Sequence, residues 1–431
     1  MASVLLSKVV GWGIFLSIFL SITNGFSAVI PKFISGILFT STALILFPQL
    51  ARLQQIQVSI LVTSGMVLIF LSGGNTIVLL EKALTINNSV ITLIISVGFL
   101  KLLIYSTFSS KVLPKGNVSL WKTLMSLQLF GALLGLSAIV IYGDKLKKNN
   151  TLTDDQVIVL TRTFGGIALW APFLASLAAV MILSKSASYG LLLTVGFSLS
   201  MAGMMITGFH CMKRLNASGE VFEGFPMQWS TLLLPISLSV LVLLARSYFN
   251  DIPTLTLVSV VILVTVVMTL FFRNSVHSAF KMLHQYIEIN VSKSGGELSL
   301  FLSAGILAVG ISAFLNAINF EIPISQFVGI HAVILLIVSV FLSLVGLHPI
   351  ISVSVFGGLL SSIPANPNLL GLALLFSWGV GVIINPLSGI SLLMQSRYNV
   401  TTSKLIKINL AYTIIMMMLA SGVLYTYDAL Q

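Results

Sequence analysis

Cysteine is almost absent from this chain, whose 431 residues include one, Cys211. A single thiol excludes an intramolecular disulfide and every metal site built on a cysteine cluster, and packing is its ordinary use. Charge is nearly as scarce. Asp, Glu, Lys and Arg make up 8% of residues, against about 25% in soluble domains, which excludes an ordinary soluble fold. Acid is scarcest, since the 11 Asp and Glu fall near the ends of apolar segments or between them, with none at a helix centre. A proton relay or carboxylate cation site needs Asp or Glu inside the membrane, so a proton-coupled cation antiporter is disfavoured. Na⁺ held by hydroxyl and carbonyl oxygens alone is still allowed. A phosphate-cradling glycine loop, a His-Glu-x-x-His helix and a nucleophile elbow are also missing, so the expectation is a protein that is neither an ATPase nor another enzyme.

What is present is apolar: 57% of residues are hydrophobic and mean hydropathy is +1.08. The fold class is therefore an all-α polytopic membrane protein, with roughly 11 to 14 membrane helices or half-helices. Apolar spans read near 5–25, 30–49, 57–80, 89–107, 122–142, 156–184, 188–208, 229–248, 253–272, 298–318 and 325–346. Further ones follow at 349–362, 368–385 and 405–426, the first of them short enough to be re-entrant. The opening span is longer than a signal-peptide core, lacks a small-x-small cleavage site and runs into a second span, so it is expected to remain in the mature protein.

The net charge of +11 belongs to loops, where Lys and Arg set orientation; it is not a nucleic-acid signal. Two loops are especially basic, with Lys111, Lys115 and Lys122 in one and Arg273, Lys281 and Lys293 in the other. The second also holds Val276, Ala279, Phe280, Leu283, Tyr286 and Ile287 at helical spacing, which reads as an amphipathic helix along the membrane interface.

The chain reads as a duplication. The segment from Arg162 through Leu177 returns, degenerate, as the segment from Leu342 through Ser354, with Pro172 opposite Pro349. Val78-Leu79-Leu80 lines up with Val242-Leu243-Leu244, Ser126-Leu127 with Ser299-Leu300, and Phe197-Ser198 with Phe376-Ser377. The offset climbs from about 164 to about 179 through small insertions, as a repeat requires. The divisions expected are an N-terminal helix pair at 1–56, a first repeat at 57–215 broken near Pro172, a second at 225–400 broken near Pro349, and a C-terminal helix at 401–431. Inverted repeats are the expected arrangement and parallel repeats the alternative, depending on whether 156–184 crosses once or turns back at Pro172.

A proline at bilayer depth frees backbone groups that lipid cannot solvate, so such a break is kept where it is buried in protein or lines a polar cavity. The first break gathers Arg162, Thr163, Gly165, Gly166, Trp170, Pro172 and Ser176, and the second His348, Pro349, Ser352 and Ser354. Free N–H groups at helix ends there suit a carboxylate or other anion. A third cluster runs from Asn385-Pro386 through Ser388 to Gln395 and reads either as a turn or as the tip of a re-entrant hairpin. Ser72, Asn75 and Thr76 form a weaker candidate inside the third span, where Gly73 and Gly74 would let helices pack closely. Arg162 either snorkels or meets a substrate anion, and His348 either bonds a freed carbonyl or carries protons.

Two apolar halves, each with a proline-broken helix beside small hydroxyl residues, together with an interfacial helix, resemble the ion transporter superfamily of secondary carriers. Gly346 to Ser354 and Asn385 to Gln395 are similar to the broken-helix and hairpin-tip segments of such carriers. The Ser-Asn-Thr tips of the dicarboxylate branch are absent, Ser72 to Thr76 being a distant approximation. The resemblance implies a bundle moving against a scaffold, often within a homodimer. The function expected is a secondary transporter, a permease or symporter, for a small anionic solute bound near the midplane. Its coupling ion would be Na⁺ or H⁺; no cofactor or metal is expected, its partners would be the solute and the bilayer, and its location the bacterial inner membrane. A flippase for a lipid or lipid-linked sugar, a membrane enzyme and a structural membrane subunit are the alternatives.

Overall fold

The computed structural model describes residues 2–27, 29–104, 113–148, 151–184, 186–226, 233–249, 251–320, 324–360 and 363–431. Of the basic-loop and acidic positions noted above, Lys111 and Glu321 lie outside these residues. The described residues are helical apart from turns and isolated bridges, and nine of the helices are long and apolar enough to cross a bilayer. The chain is an all-α polytopic membrane protein. It forms two compact units, which cut across the sequence divisions expected: unit 1 is Met1–Ser106 with Ser237–Ile322, and unit 2 is Thr107–Ile236 with Pro323–Gln431.

Unit 1 is built on helices that approach closely through glycine. Arg52–Leu71 crosses Gly295–Ala317 where a side-chain carbon on Gly310 would strike the Gly65 carbonyl oxygen. The amphipathic segment forms the helix Val276–Ile289, which runs through a short 3₁₀ turn into Gly295–Ala317. It buries Ala279, Tyr286 and Ile287 and packs on Ala2–Phe26, where Gly11 sits against the Ile287 carbonyl and Lys8 pairs with Glu288 at 3.0 Å. Its Val276 and Phe280 are exposed. The third span differs from expectation. It stops at Leu71, turns through Ser72–Asn75 and restarts as Thr76–Thr85. Gly73 has φ of +62°, and a side-chain carbon there would meet nothing within 4 Å, so it serves a turn, while Gly74 faces Leu79 of the helix that follows.

Unit 2 holds one series of elements twice. From 117 onward come Asn117–Leu134, a turn at Gly135, Leu136–Leu146, Asp154–Ala168, a break, Ala175–Leu183 and Tyr189–Ser218. From 329 onward come Gly329–Leu344, a turn at Gly346, Pro349–Leu359, Pro367–Ile384, a break, Gly389–Tyr398 and Thr402–Ala429. Asp154 and Pro367 are 213 residues apart, as are Tyr189 and Thr402, and Pro172 and Pro386 stand in corresponding breaks. Pro172 thus corresponds in order to Pro386, where Pro349 had been expected. The reason is physical: apolar helices of similar composition slide past one another in sequence with little penalty, whereas a turn or break has one place.

Hydrogen bonds and ion pairs sort the helix ends of unit 2 into two groups. At one end Glu223 pairs with both Lys115 and Lys148, Arg214 bonds Asp155, Lys404 pairs with Asp154 and Arg397 with Asp144. At the other, Gly329 N–H donates to Asp428, Phe327 N–H to Pro364 O, Ser184 Oγ to Pro367 O and Ser188 N–H to Asn368. Helix Asp154–Ala168 with Ala175–Leu183 therefore crosses once, and Pro367–Ile384 with Gly389–Tyr398 crosses in the opposite direction. The other two pairs are hairpins. Asn117–Leu146 starts and finishes at the Glu223 end and Gly329–Leu359 at the Asp428 end. Gly135 and Gly346, with φ of +53° and +101°, make the two tips. An 11-residue arm such as Leu136–Leu146 or Pro349–Leu359 is about 16 Å long, roughly half the hydrocarbon thickness. The Pro349 segment is thus a hairpin arm, as its short length allowed, and Asn385–Gln395 belongs to a broken crossing, where a turn or a hairpin tip had been expected.

Candidate functional site

The two broken crossings of unit 2 touch each other by backbone. A side-chain carbon on Gly165 would lie 2.9 Å from the Gly379 carbonyl oxygen, and one on Gly379 would lie 3.2 Å from that of Gly165. These glycines stand 214 residues apart, the spacing of Pro172 and Pro386. Other contacts are reciprocal as well. Gly143 on one hairpin faces the Tyr398 ring on a half-helix, while Gly357 on the other hairpin faces Leu183 on the other half-helix.

Each break is closed by side chains of its own. Pro172 lacks the N–H that a continuous helix would send to Ala168 O, and Ser176 Oγ donates to that carbonyl at 2.6 Å. Trp170 Nε1 donates to Gln128 Oε1 at 3.4 Å, and Gln128 Nε2 to Ser200 Oγ at 2.8 Å, beside Gly166. At the second break, Asn385 is fully buried. Its Nδ2 donates to Leu347 O at 2.5 Å and its Oδ1 accepts from Leu387 N at 2.7 Å. Ser388 caps Gly389–Tyr398 by accepting from Ser391 N and donates to Asn385 O at 3.0 Å. Gln395 Nε2 donates to Pro386 O and Ser391 O. Asn385 therefore ties a broken crossing to the tip of the hairpin Gly329–Leu359.

Among the described residues, that hairpin carries three buried hydroxyls without partners, against one, Tyr142 Oη, on the other hairpin. His348 caps its second arm, Nδ1 accepting from Ile350 N at 3.2 Å, with Pro349 at the first helical position. Ser339, Ser343 and Ser352 are each 2% exposed or less, and none of their hydroxyls has a hydrogen-bond partner among the described residues. A helical serine ordinarily bonds back to a carbonyl one turn earlier, and a buried hydroxyl left without a partner costs about 1–3 kcal/mol. On the other hairpin, Thr123, Ser126 and Gln128 all have partners. Ser354, also expected here, is buried on the same arm as Ser352.

Arg162 sits elsewhere on its helix. Its side chain is 2% exposed and reaches Thr402–Ala429: Nε donates to Asn409 Oδ1 at 3.1 Å, Nη2 to Ile408 O at 2.7 Å, and the guanidinium lies 4.5 Å from the Tyr412 ring centroid. Nη1 is buried without a partner, and no carboxylate of the described residues lies within ion-pair distance. Thr163 is buried beside it in sequence. Ser72, Asn75 and Thr76 belong to unit 1. There Ser72 Oγ donates to Ile69 O, and Asn75 caps Thr76–Thr85 by accepting from Ile77 and Val78 N–H.

Sequence reasoning missed Gly135, Gly379, Gln128, Asn409, Ser339 and Ser343. Gln128 and Asn409 had a visible signal, an amide inside an apolar helix, where a polar side chain needs a partner.

No family model matches this sequence, and no curated protein matches it. Among solved structures, it is similar to one titled "Crystal structure of the Alcanivorax borkumensis YdaH transporter reveals an unusual topology". The likeness covers 99% of this chain and 98% of that one, at 14% identity and a TM-score of 0.48.

Proposed function

We propose that this protein is a secondary transporter for a small anionic solute, carried with a coupling ion, and that the solute binds at the hairpin Gly329–Leu359 where its tip meets the Asn385 break. The observation that carries the reading is the set of three buried, unpartnered hydroxyls of Ser339, Ser343 and Ser352 on that hairpin. Polar groups stranded inside a membrane protein mark a solute or ion path, because each needs a partner in the working state. Hydroxyl oxygens can donate to an anion or ligate Na⁺. The positive potential comes from the N-termini of the half-helices that open after the two breaks, Ala175–Leu183 and Gly389–Tyr398.

The transport cycle follows from an inverted duplication. Equivalent elements of unit 2 start at opposite ends: Asp154 lies at the Glu223 end and Pro367 at the Asp428 end. Reciprocal contacts at Gly165 and Gly379 fit a two-fold axis through the crossing. Two hairpins entering from opposite ends, each meeting a broken crossing, give one pathway to each side of the membrane, the arrangement that alternating access uses. Uptake of labelled small anions into proteoliposomes, under an imposed Na⁺ or proton gradient, tests the reading. Uptake should require the gradient and vanish in Ser352→Ala; uptake unchanged in that variant would overturn the site assignment.

A further inference from the structure

Among the described residues at the two ends of unit 2, charge gathers at one of them. The segments that meet at the Glu223 end, 113–122, 142–155, 210–226 and 394–409, hold ten Lys and Arg against five Asp and Glu. The described residues of the Asp428 end, in 183–190, 324–332, 355–369 and 424–431, hold Asp428 as their one charged side chain of these four types.

Pairing sharpens the asymmetry. The acids at the basic end are largely engaged: Glu223 by Lys115 and Lys148, Asp144 by Arg397 and Lys147, Asp154 and Asp155 by Arg214, with Lys404 also on Asp154. Lys122, Lys145, Lys213 and Lys407 form no ion pair among the described residues. They stand on four different helices, Asn117–Leu134, Leu136–Leu146, Tyr189–Ser218 and Thr402–Ala429, each within about two turns of the end that lies there. Lys122, Lys213 and Lys407 are exposed and Lys145 is half-buried.

We infer that the basic end of unit 2 is its cytoplasmic face and that these four lysines hold anionic phospholipid headgroups of that leaflet. Two principles bear on it independently. Lys and Arg near membrane ends are retained on the cytoplasmic side, and basic side chains at the membrane surface attract anionic lipid. Lysines around the rim of a helix bundle face the headgroup layer at the depth of its phosphates. A soluble polyanion would have no reason to be matched by helix ends spread around a rim.

Orientation is read by labelling engineered cysteines in whole cells with a membrane-impermeant maleimide. Cys211 is fully buried and gives little background. Tyr425→Cys, at the Asp428 end, should label in intact cells and Lys145→Cys only after permeabilisation; labelling of Lys145→Cys in intact cells would overturn the orientation. The headgroup assignment is read on purified full-length protein by its melting temperature in micelles doped with phosphatidylglycerol or phosphatidylcholine. Phosphatidylglycerol should raise it and phosphatidylcholine should not. The variant with Lys122, Lys145, Lys213 and Lys407 all changed to Gln should need at least about tenfold more phosphatidylglycerol for the same rise. The same four changed to Arg should respond as the native chain does. An undiminished response in the Gln variant, or an equal response to inorganic phosphate, would overturn it. These readouts need no transported solute, so they stand or fall apart from the proposed function.

Discussion

Replacing Asn385 with alanine should uncouple the hairpin tip from the broken crossing, and the size of the effect can be worked from two bonds. The fully buried Asn385 gives Nδ2 to Leu347 O at 2.5 Å and takes Leu387 N–H on Oδ1 at 2.7 Å. Alanine leaves a carbonyl and an amide buried without those partners, at about 1–3 kcal/mol each, so the loss is about 2–6 kcal/mol. A change of that size is a large fraction of a protein's net stability. Cys211, the one thiol in the chain and fully buried, supplies the assay: a thiol-reactive dye reports unfolding of detergent-purified protein as temperature rises. Gln395→Ala is the comparison, since its bonds to Pro386 O and Ser391 O are longer and its side chain only partly buried; it should cost about 1 kcal/mol or less. If Asn385→Ala unfolds within about 0.5 kcal/mol of the native chain, the latch contributes nothing, because that is the scatter of ordinary surface substitutions.

Ser352→Ala should behave in the opposite way, leaving stability unchanged or raising it by about 1 kcal/mol in the absence of solute, because a buried hydroxyl without a partner is removed. Clear destabilisation in the same dye assay would mean that this hydroxyl is satisfied within the fold. Gly165→Leu and Gly379→Leu should each cost about 1–3 kcal/mol or more by forcing apart the backbones of the crossing; an effect confined to one of them would argue against a reciprocal contact. Acid should weaken the fastening at Glu223. Lys148 first, then Lys115, hold its carboxyl below the ordinary value of 4.5 in the folded chain, so its contribution is complete above that value and is lost as pH falls through the lower folded one. The native chain should therefore melt above Glu223→Gln near neutral pH and lose that advantage below pH 4.5; a gap constant from about pH 3 to 6 would contradict this.

Much of the architecture was legible in the sequence because each break has a chemical cause. Pro172 and Pro386 interrupt apolar runs that have no other reason to stop, and the amphipathic stripe around Tyr286 forms its helix within the expected segment. The register of the two series was not legible. Leu, Val and Ser recur in every span, so Pro172 could be laid against Pro349 as easily as against Pro386, and the turns at Gly135 and Gly346 were needed to tell a hairpin from a crossing. Arg162 stands apart from the break for a related reason. Position 162 lies near a break along the chain, but a helical side chain leans toward the N-terminus of its helix, and the guanidinium accordingly meets Asn409 and Tyr412 instead. Ser339 and Ser343 look like any helical serines in sequence; only the packing reveals that their hydroxyls lack partners.

The most direct test of the central claim, that a small anion binds at the hairpin Gly329–Leu359, is the melting temperature of the detergent-purified protein against a panel of small anions, with and without Na⁺. A ligand of the native state at about 100 times its dissociation constant adds roughly 2.7 kcal/mol. One class of anion should raise the melting temperature of the native chain and leave that of Ser352→Ala unmoved. A panel that shifts neither protein, or an anion that shifts both alike, would contradict the account.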